Sequence, residues 1–354
     1  MKVAPLLKRI AESNTQGNGG RFEARLVHTG QHYDEKMSEV FFRELGIPHP
    51  DFNLGVGSGS QAAQTASVMT GFEPVCVKEK PDWVVVVGDV NSTIACTLVC
   101  AKLGVRVAHV EAGLRSFDRT MPEEINRLVT DALADLLLTP SEDGNENLRR
   151  EGASEERIRL VGNIMIDSLI ENLPMARTSD VLKRNGIEPG KFVFVTLHRP
   201  ANVDDRASLS SIMLEVERLA RQLPVFFPIH PRTRKMLAEF GIVPSEGKGL
   251  RLVDPVGYHD SLCLTESARL VLTDSGGLQE EATYFRTPCL TLRPSTERPI
   301  TVTLGSNRLT NLDRLASDVD ELLDGPERRG KIPPLWDGQT ARRILGEIVT
   351  ASAR

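Results

Sequence analysis

Short apolar runs alternate with stretches of helical period along almost the whole chain, and this alternation predicts a parallel α/β protein. In the first half, Arg25–His28, Trp83–Val87, Val105–Val110, Leu136–Thr139 and Ile158–Val161 read as strands. In the second half, Phe192–Thr196, Val225–Ile229, Leu250–Val253, Leu270–Thr273 and Cys289–Leu292 read the same way. Helical segments fall between them, for example Gln61 to Lys80 and Thr93 to Leu103. Residues 172–191 carry Pro174, Gly186, Pro189 and Gly190 and mark a boundary. The predicted organisation is one Rossmann-like domain over 1–171, a second over 172–336, and a closing helix over 337–354 that packs back on the first. Two parallel sheets would then face a central cleft. Ligands of such sheets bind beyond the carboxyl ends of the strands, so the residues that follow each strand carry the functional signal.

The strongest of these follows Leu270–Thr273. Asp274-Ser275-Gly276-Gly277 is a small-residue turn, and Leu278 onward reads as a helix. Ser275 is placed to cap that helix, and Gly276 lets a ligand approach the backbone. Unpaired N–H groups at a helix start, at the positive end of its dipole, form an anion site. Glu281 falls one to two turns into the helix, where a carboxylate can accept ribose hydroxyls. A capped strand–helix turn without ligand has the same outline, so this segment alone leaves both readings open.

Carboxylates gather at the strand ends of the first half. Gly88-Asp89 follows one strand, with Asp89 either capping the next helix or facing a ligand. Glu111 follows another, beside a glycine turn. Pro122 suits a first helical turn, and Ile125, Leu128, Val129, Ala132 and Leu133 make an apolar stripe expected to be buried. That leaves Glu123, Asn126 and Arg127 together on another face. Asp89, Glu111 and Glu123 are therefore expected at one end of one sheet. In the second half, His198-Arg199 and His230-Pro231 follow two strands and suit phosphate or leaving-group contacts, while Thr296-Glu297-Arg298-Pro299 adds a third polar cluster.

Composition narrows the class. A chain of 354 residues suggests about two domains. With a net charge of −5 and no long basic run, nucleic acid is a poor partner. No apolar stretch is long enough to span a bilayer, and the N-terminus has no signal-peptide pattern. Five cysteines, Cys76, Cys96, Cys100, Cys263 and Cys289, lie mostly in apolar runs without metal-site spacing, which fits reduced thiols in a cytoplasmic protein.

Taken together, the segments resemble the non-hydrolysing UDP-N-acetylglucosamine 2-epimerase family. The matching segments are Thr29–Asp34, Gly88-Asp89, His109–Arg115, Pro122–Arg127, Gly162-Asn163, His198-Arg199, Thr273–Glu281 and Thr296–Pro299, in family order over nearly the whole chain. The resemblance implies a glycosyltransferase-B-like pair of Rossmann-like domains, a UDP-amino sugar substrate, no metal or nicotinamide cofactor, and a homodimer. It implies that Asp89, Glu111 and Glu123 form the acid/base group and that His198, His230, Ser275, Gly276, Glu281 and Arg298 hold UDP. Gln31 and His32 would belong to a second, regulatory substrate site. Lys2 takes the place of the family's active-site lysine. Family members open with a strand and a Gly-Thr-Arg-Pro-Glu-type loop, whereas Met1–Leu6 matches the helix that follows. The expectation is a native chain that begins upstream, with Lys2 frayed at a free terminus. The competing readings are a two-domain UDP-sugar glycosyltransferase and a truncated, inactive UDP-sugar binder.

Overall fold

The computed structural model describes residues 1–16, 22–30, 45–245, 247 and 249–353. Gln31 and His32 lie outside the described residues. Strands run in chain order as β1 (Val27–His28), β2 (Phe52–Asn53), β3 (Trp83–Val87), β4 (Arg106–Val110), β5 (Leu136–Thr139), β6 (Ile158–Leu160), β7 (Val193–Thr196), β8 (Val225–Pro228), β9 (Leu250–Val253), β10 (Leu270–Thr273), β11 (Cys289–Leu292) and β12 (Asn307–Thr310). Every pairing among them is parallel. The short β2 and the polar β12 are additions to the sequence-predicted set; neither has an apolar run long enough to announce it.

The chain divides into two compact units, Met1–Glu171 with Pro334–Arg354, and Asn172–Pro333. In the first unit β3-β4-β5-β6 form one sheet and β1-β2 a small second one. One face of β4 and β5 buries Val107 and Leu137 with Val68, Phe72, Val99 and Cys100. The other buries Ala108, Val110 and Leu138 with Leu6, Ile344 and Ile348. The last two belong to the helix Thr340–Ser352, whose first turn is capped by Asp167 through the amides of Thr340 (3.1 Å) and Ala341 (2.7 Å).

In the second unit the sheet order is β12-β11-β10-β7-β8-β9. From central β7 the chain steps outward through β8 and β9, then returns to the other side of β7 as β10 and continues outward. The order reverses between β7 and β10. Connections leave these two neighbours toward opposite faces, which opens a crevice beyond their carboxyl ends, the usual ligand position in such sheets. His198-Arg199 follows β7 and Asp274–Gly276 follows β10, so both polar segments stand at this point. Beneath them Val193, Val195, Leu270, Leu272 and Leu290 are fully buried, which makes a rigid floor.

Candidate functional site

In the first unit β3 and β4 end side by side. Gly88, at φ 77, starts the turn after β3 and donates its amide to Val110 O at 3.0 Å. Asp89 does not cap the following helix, whose N-cap residue is Val90. Its Oδ2 instead lies 2.5 Å from Arg127 Nη1, and its carbonyl accepts from Asn126 Nδ2 at 2.9 Å. Glu111 follows β4 in a left-handed backbone, φ 73, uncommon for a residue with a β-carbon. The amides of Glu111 and Ala112 both donate to Leu138 O and hold that turn. Glu111 Oε2 lies 2.6 Å from Lys2 Nζ. A β-carbon on Gly88 would come within 3.1 Å of Lys2 Nζ and 3.9 Å of Glu111 Oε2, so the Asp89 turn and the Glu111 carboxylate share one corner.

Two expectations are corrected here. Lys2 is not frayed: it follows Met1, whose carbonyl accepts from Ser168 Oγ, and its ammonium is drawn to the buried Glu111 carboxylate. The helix Pro122–Leu133 also buries the opposite face from the one its apolar stripe suggests. Ile125 and Leu133 are exposed, while Glu124, Asn126, Arg127, Thr130 and Asp131 are buried. Glu123 stands exposed in the first turn, apart from inward-facing Asn126 and Arg127. The reason is a polar network at the strand ends that outweighs the apolar periodicity. Arg127, 1% exposed, bridges Asp89 and Glu124, and Glu124 accepts from the amides of Ser116 and Phe117, both at 2.9 Å. Burial alone would raise the Glu124 carboxyl, but the Ser116 amide, Arg127 and the Phe117 amide outweigh it and hold the group below the ordinary carboxylate range.

In the second unit Asp274 organises the crevice. It is fully buried, and its carboxylate accepts from the amides of His198 (3.0 Å) and Arg199 (2.9 Å) and from Asn202 Nδ2 (3.1 Å). His198 Nδ1 lies 2.9 Å from Asp274 Oδ1, which leaves the other ring nitrogen of this part-exposed side chain for a ligand. Burial opposes ionisation of Asp274, yet His198 and the amide donors hold it below its ordinary range. His230 sits at the N-cap of the helix Pro231–Phe240, where its Nδ1 accepts from the Arg232 amide. Its ring centroid is 5.5 Å from that of His198, and burial followed by the neighbouring His198 lowers its pKa.

Ser275 occupies the N-cap position of the helix Gly276–Phe285, but its side chain makes no capping bond, contrary to the expected cap. Arg298 and Glu297 pack against the first turn: a β-carbon on Gly276 would lie 2.9 Å from Arg298 Nη1 and 3.2 Å from Glu297 Oε1. Arg298 also pairs with Glu280, and Glu297 with Arg293. Glu281 is 5% exposed, and burial, followed by the charge of Glu280, pushes its carboxyl up to about 8. The structure thus places His198, His230, Ser275, Gly276, Glu281 and Arg298 in the second unit and Asp89, Glu111, Glu123 and Lys2 in the first. Glu124, Asp131 and His109 were not singled out from the sequence. His109 and Asp131 are buried and pair with each other from a strand and a helix, and Glu124 accepts from the Ser116 and Phe117 amides outside its helix as well as from Arg127 within it; residue spacing does not encode the contacts between elements.

A family model described as UDP-N-acetylglucosamine 2-epimerase matches residues 15–349. A UDP-N-acetylglucosamine 2-epimerase of Methanocaldococcus jannaschii is 40% identical over 98% of this chain and 94% of its own length. A UDP-2,3-diacetamido-2,3-dideoxy-D-glucuronate 2-epimerase of Pseudomonas aeruginosa is 41% identical over 89% of this chain and 86% of its own. The crystal structure of the M. jannaschii UDP-GlcNAc 2-epimerase in complex with UDP-GlcNAc and UDP superimposes with a TM-score of 0.88 at 40% identity, covering 99% of this chain and 96% of that one.

Proposed function

The chain belongs to the UDP-N-acetylglucosamine 2-epimerase family, and we propose that it inverts C2 of a UDP-linked N-acetyl amino sugar, interconverting UDP-GlcNAc and UDP-ManNAc. The C2 hydrogen has no adjacent carbonyl, so direct deprotonation is unfavourable. Breaking the anomeric C–O bond, with UDP taking the electron pair, builds oxocarbenium character that acidifies C2–H. A carboxylate then takes that proton to give a glycal. A second acid returns a proton to the opposite face of C2, and UDP re-adds at the anomeric carbon. Asp89, Glu111 and Glu123 supply this acid/base group, and Lys2 orients Glu111. Ser275 and Gly276 take the pyrophosphate, Glu281 the ribose hydroxyls, and His198, His230 and Arg298 the leaving group. Gln31 and His32 keep the role of a second substrate site in this reading.

The observation that carries it is the setting of the strand-end carboxylates. Glu111 is buried against a lysine, Asp89 is held by a buried arginine, and Glu123 is in solvent. Such differences let neighbouring carboxyl groups act as acid and as base. A glycosyltransferase would need an acceptor site and has less use for three of them. Incubation with UDP-GlcNAc in D₂O tests the reading: deuterium should enter C2 as UDP-ManNAc forms, and sugar transfer without exchange would refute it. A panel including the diacetamido uronate fixes the C3 and C6 substituents, since the P. aeruginosa relative is as similar as the M. jannaschii one. In the same reading the protein is a cytoplasmic homodimer that supplies an activated amino sugar for polysaccharide assembly. The exposed Ile125 and Leu133 support self-association, and five buried free thiols support a reducing compartment.

Glu281 gives the binding a pH signature. With its carboxyl near 8 in the free protein, it is protonated at pH 6, yet as a carboxylate it accepts two ribose hydroxyls. Binding then releases a proton, so UDP affinity should rise between pH 6 and 8, by at most about tenfold per unit. Calorimetry of the wild type against Glu281→Gln separates this slope from the titration of UDP itself; equal slopes would remove Glu281 from the ribose contact. The sign for folding is opposite. A raised carboxyl keeps its proton in the fold where the unfolded chain has lost it, so this group's contribution to stability declines from about pH 4.5 to 8.

A further inference from the structure

We propose that the buried His109–Asp131 pair is a positioning element that holds the turns carrying Asp89 and Glu111 in one relative placement. This rests on the assignment of Asp89 and Glu111 to proton transfer. His109 lies on β4 two residues before Glu111 and is fully buried. Its Nε2 is 2.8 Å from Gly88 O, in the turn that carries Asp89, and its Nδ1 is 2.6 Å from Asp131 Oδ1. Asp131 Oδ2 accepts from the Gly113 amide at 3.0 Å, in the turn that carries Glu111, and lies 2.7 Å from Arg115 Nη1. A continuous path therefore runs from Gly88 O through one imidazole and one carboxylate to Gly113 N. Both ring nitrogens face acceptors, a carbonyl and a carboxylate, so both donate.

Neither end of the path has slack. Gly113 has φ 79, and a β-carbon on it would lie 2.4 Å from Gly144 O, so its turn is wedged against the helix Glu142–Arg150. Asp131 belongs to the helix that carries Glu123 and, one turn earlier, Arg127, which grips the Asp89 carboxylate. Asp89 is thus fixed through its own carboxylate by Arg127, through its carbonyl by Asn126, and through the preceding carbonyl by His109. All of these restraints converge on one helix. A buried charged pair stabilises a fold no better than well-packed apolar side chains of similar volume. What this pair supplies is fixed geometry between two reacting groups, and a misplacement of about 1 Å can cost roughly a hundredfold in rate.

Three variants test this. His109→Gln offers one NH2 group to two facing acceptors, so its amide oxygen opposes either the Asp131 carboxylate or Gly88 O and the path is broken at that point. The double variant H109Q/D131N restores complementary donors and acceptors along the path. Asp131→Glu keeps the charge and lengthens the arm by one methylene. H109Q and D131E should lower kcat by about ten- to a hundredfold at unchanged KM, and the double variant should recover turnover to within about threefold of wild type. Loss of packing alone would not produce a kcat loss at constant KM that a second, neutral substitution reverses. Circular dichroism and melting establish that each variant is folded, and D131E decides alone if H109Q is not. Wild-type kcat in folded D131E and H109Q, or a folded double variant that stays slow, would overturn the proposal. Asp89→Asn and Glu111→Gln measured alongside separate the two levels. If they keep turnover, the acid/base assignment fails; if they lose it while D131E does not, only the positioning role fails.

Discussion

Glu111→Gln is expected to cut turnover of UDP-GlcNAc by about 10²–10⁴-fold while leaving UDP affinity unchanged. The substitution keeps the shape of the side chain, so Lys2 Nζ can still donate to the remaining oxygen, and the left-handed backbone at residue 111 is kept by the amides of Glu111 and Ala112 on Leu138 O. Only the ability to exchange a proton is lost. UDP affinity is the internal control, because its proposed contacts from Ser275, Gly276 and Glu281 belong to the second compact unit. Glu123→Gln should behave in the same way, and its side chain is exposed, so no loss of packing confuses the result. Steady-state rates with calorimetric UDP titrations check both. Near-normal turnover in both variants would sink the acid/base assignment.

Most of the sheet was legible because parallel strands are buried on both faces and appear as unbroken apolar runs. Trp83–Val87, Leu136–Thr139, Leu250–Val253, Leu270–Thr273 and Cys289–Leu292 end where the apolar runs end. The turn after β10 was legible for the same reason: glycines and a serine between an apolar run and a helical period leave few other conformations. Two kinds of feature were not. β12, Asn307–Thr310, takes Asn307 and Arg308 into the sheet because Asn307 bonds to Gln279 and Thr291, both distant from it in sequence. The helix Pro122–Leu133 was given the wrong buried face because periodicity weighs apolar area alone. Here a guanidinium satisfied by two carboxylates, and a carboxylate satisfied by an imidazole, an amide and Arg115, fill the interior instead. Strand ends are where this substitution is to be expected. Chemistry there needs charge, and charge can be buried only with partners.

That same network makes Arg127→Met a strongly destabilising substitution. Arg127 donates to Glu124 Oε2 from Nε (3.0 Å) and Nη2 (2.6 Å), and Nη1 holds Asp89. Methionine fills most of the volume but leaves Glu124, 2% exposed, as a buried carboxylate with only the Ser116 and Phe117 donors. Removing one partner of such a pair costs about 3–5 kcal/mol. Denaturant unfolding should show a loss of that size, and an effect below about 1 kcal/mol would mean that water or a rearranged loop takes over from the guanidinium. pH distinguishes the cause. In the wild type the Glu124 carboxyl is held below its ordinary range, so its contribution is present at neutral pH and disappears as the medium is acidified below about 4.5. In R127M the same group has lost its main cation, and protonation relieves it. The gap between the two proteins should therefore narrow on acidification, whereas a deficit caused by poor packing would stay constant. Adding Glu124→Gln to R127M should recover much of the lost stability at neutral pH by the same logic. It should not recover turnover, because Asp89 would still lack the arginine that fixes its carboxylate. A double variant that is stable but slow would separate what Arg127 does for the fold from what it does for the reaction.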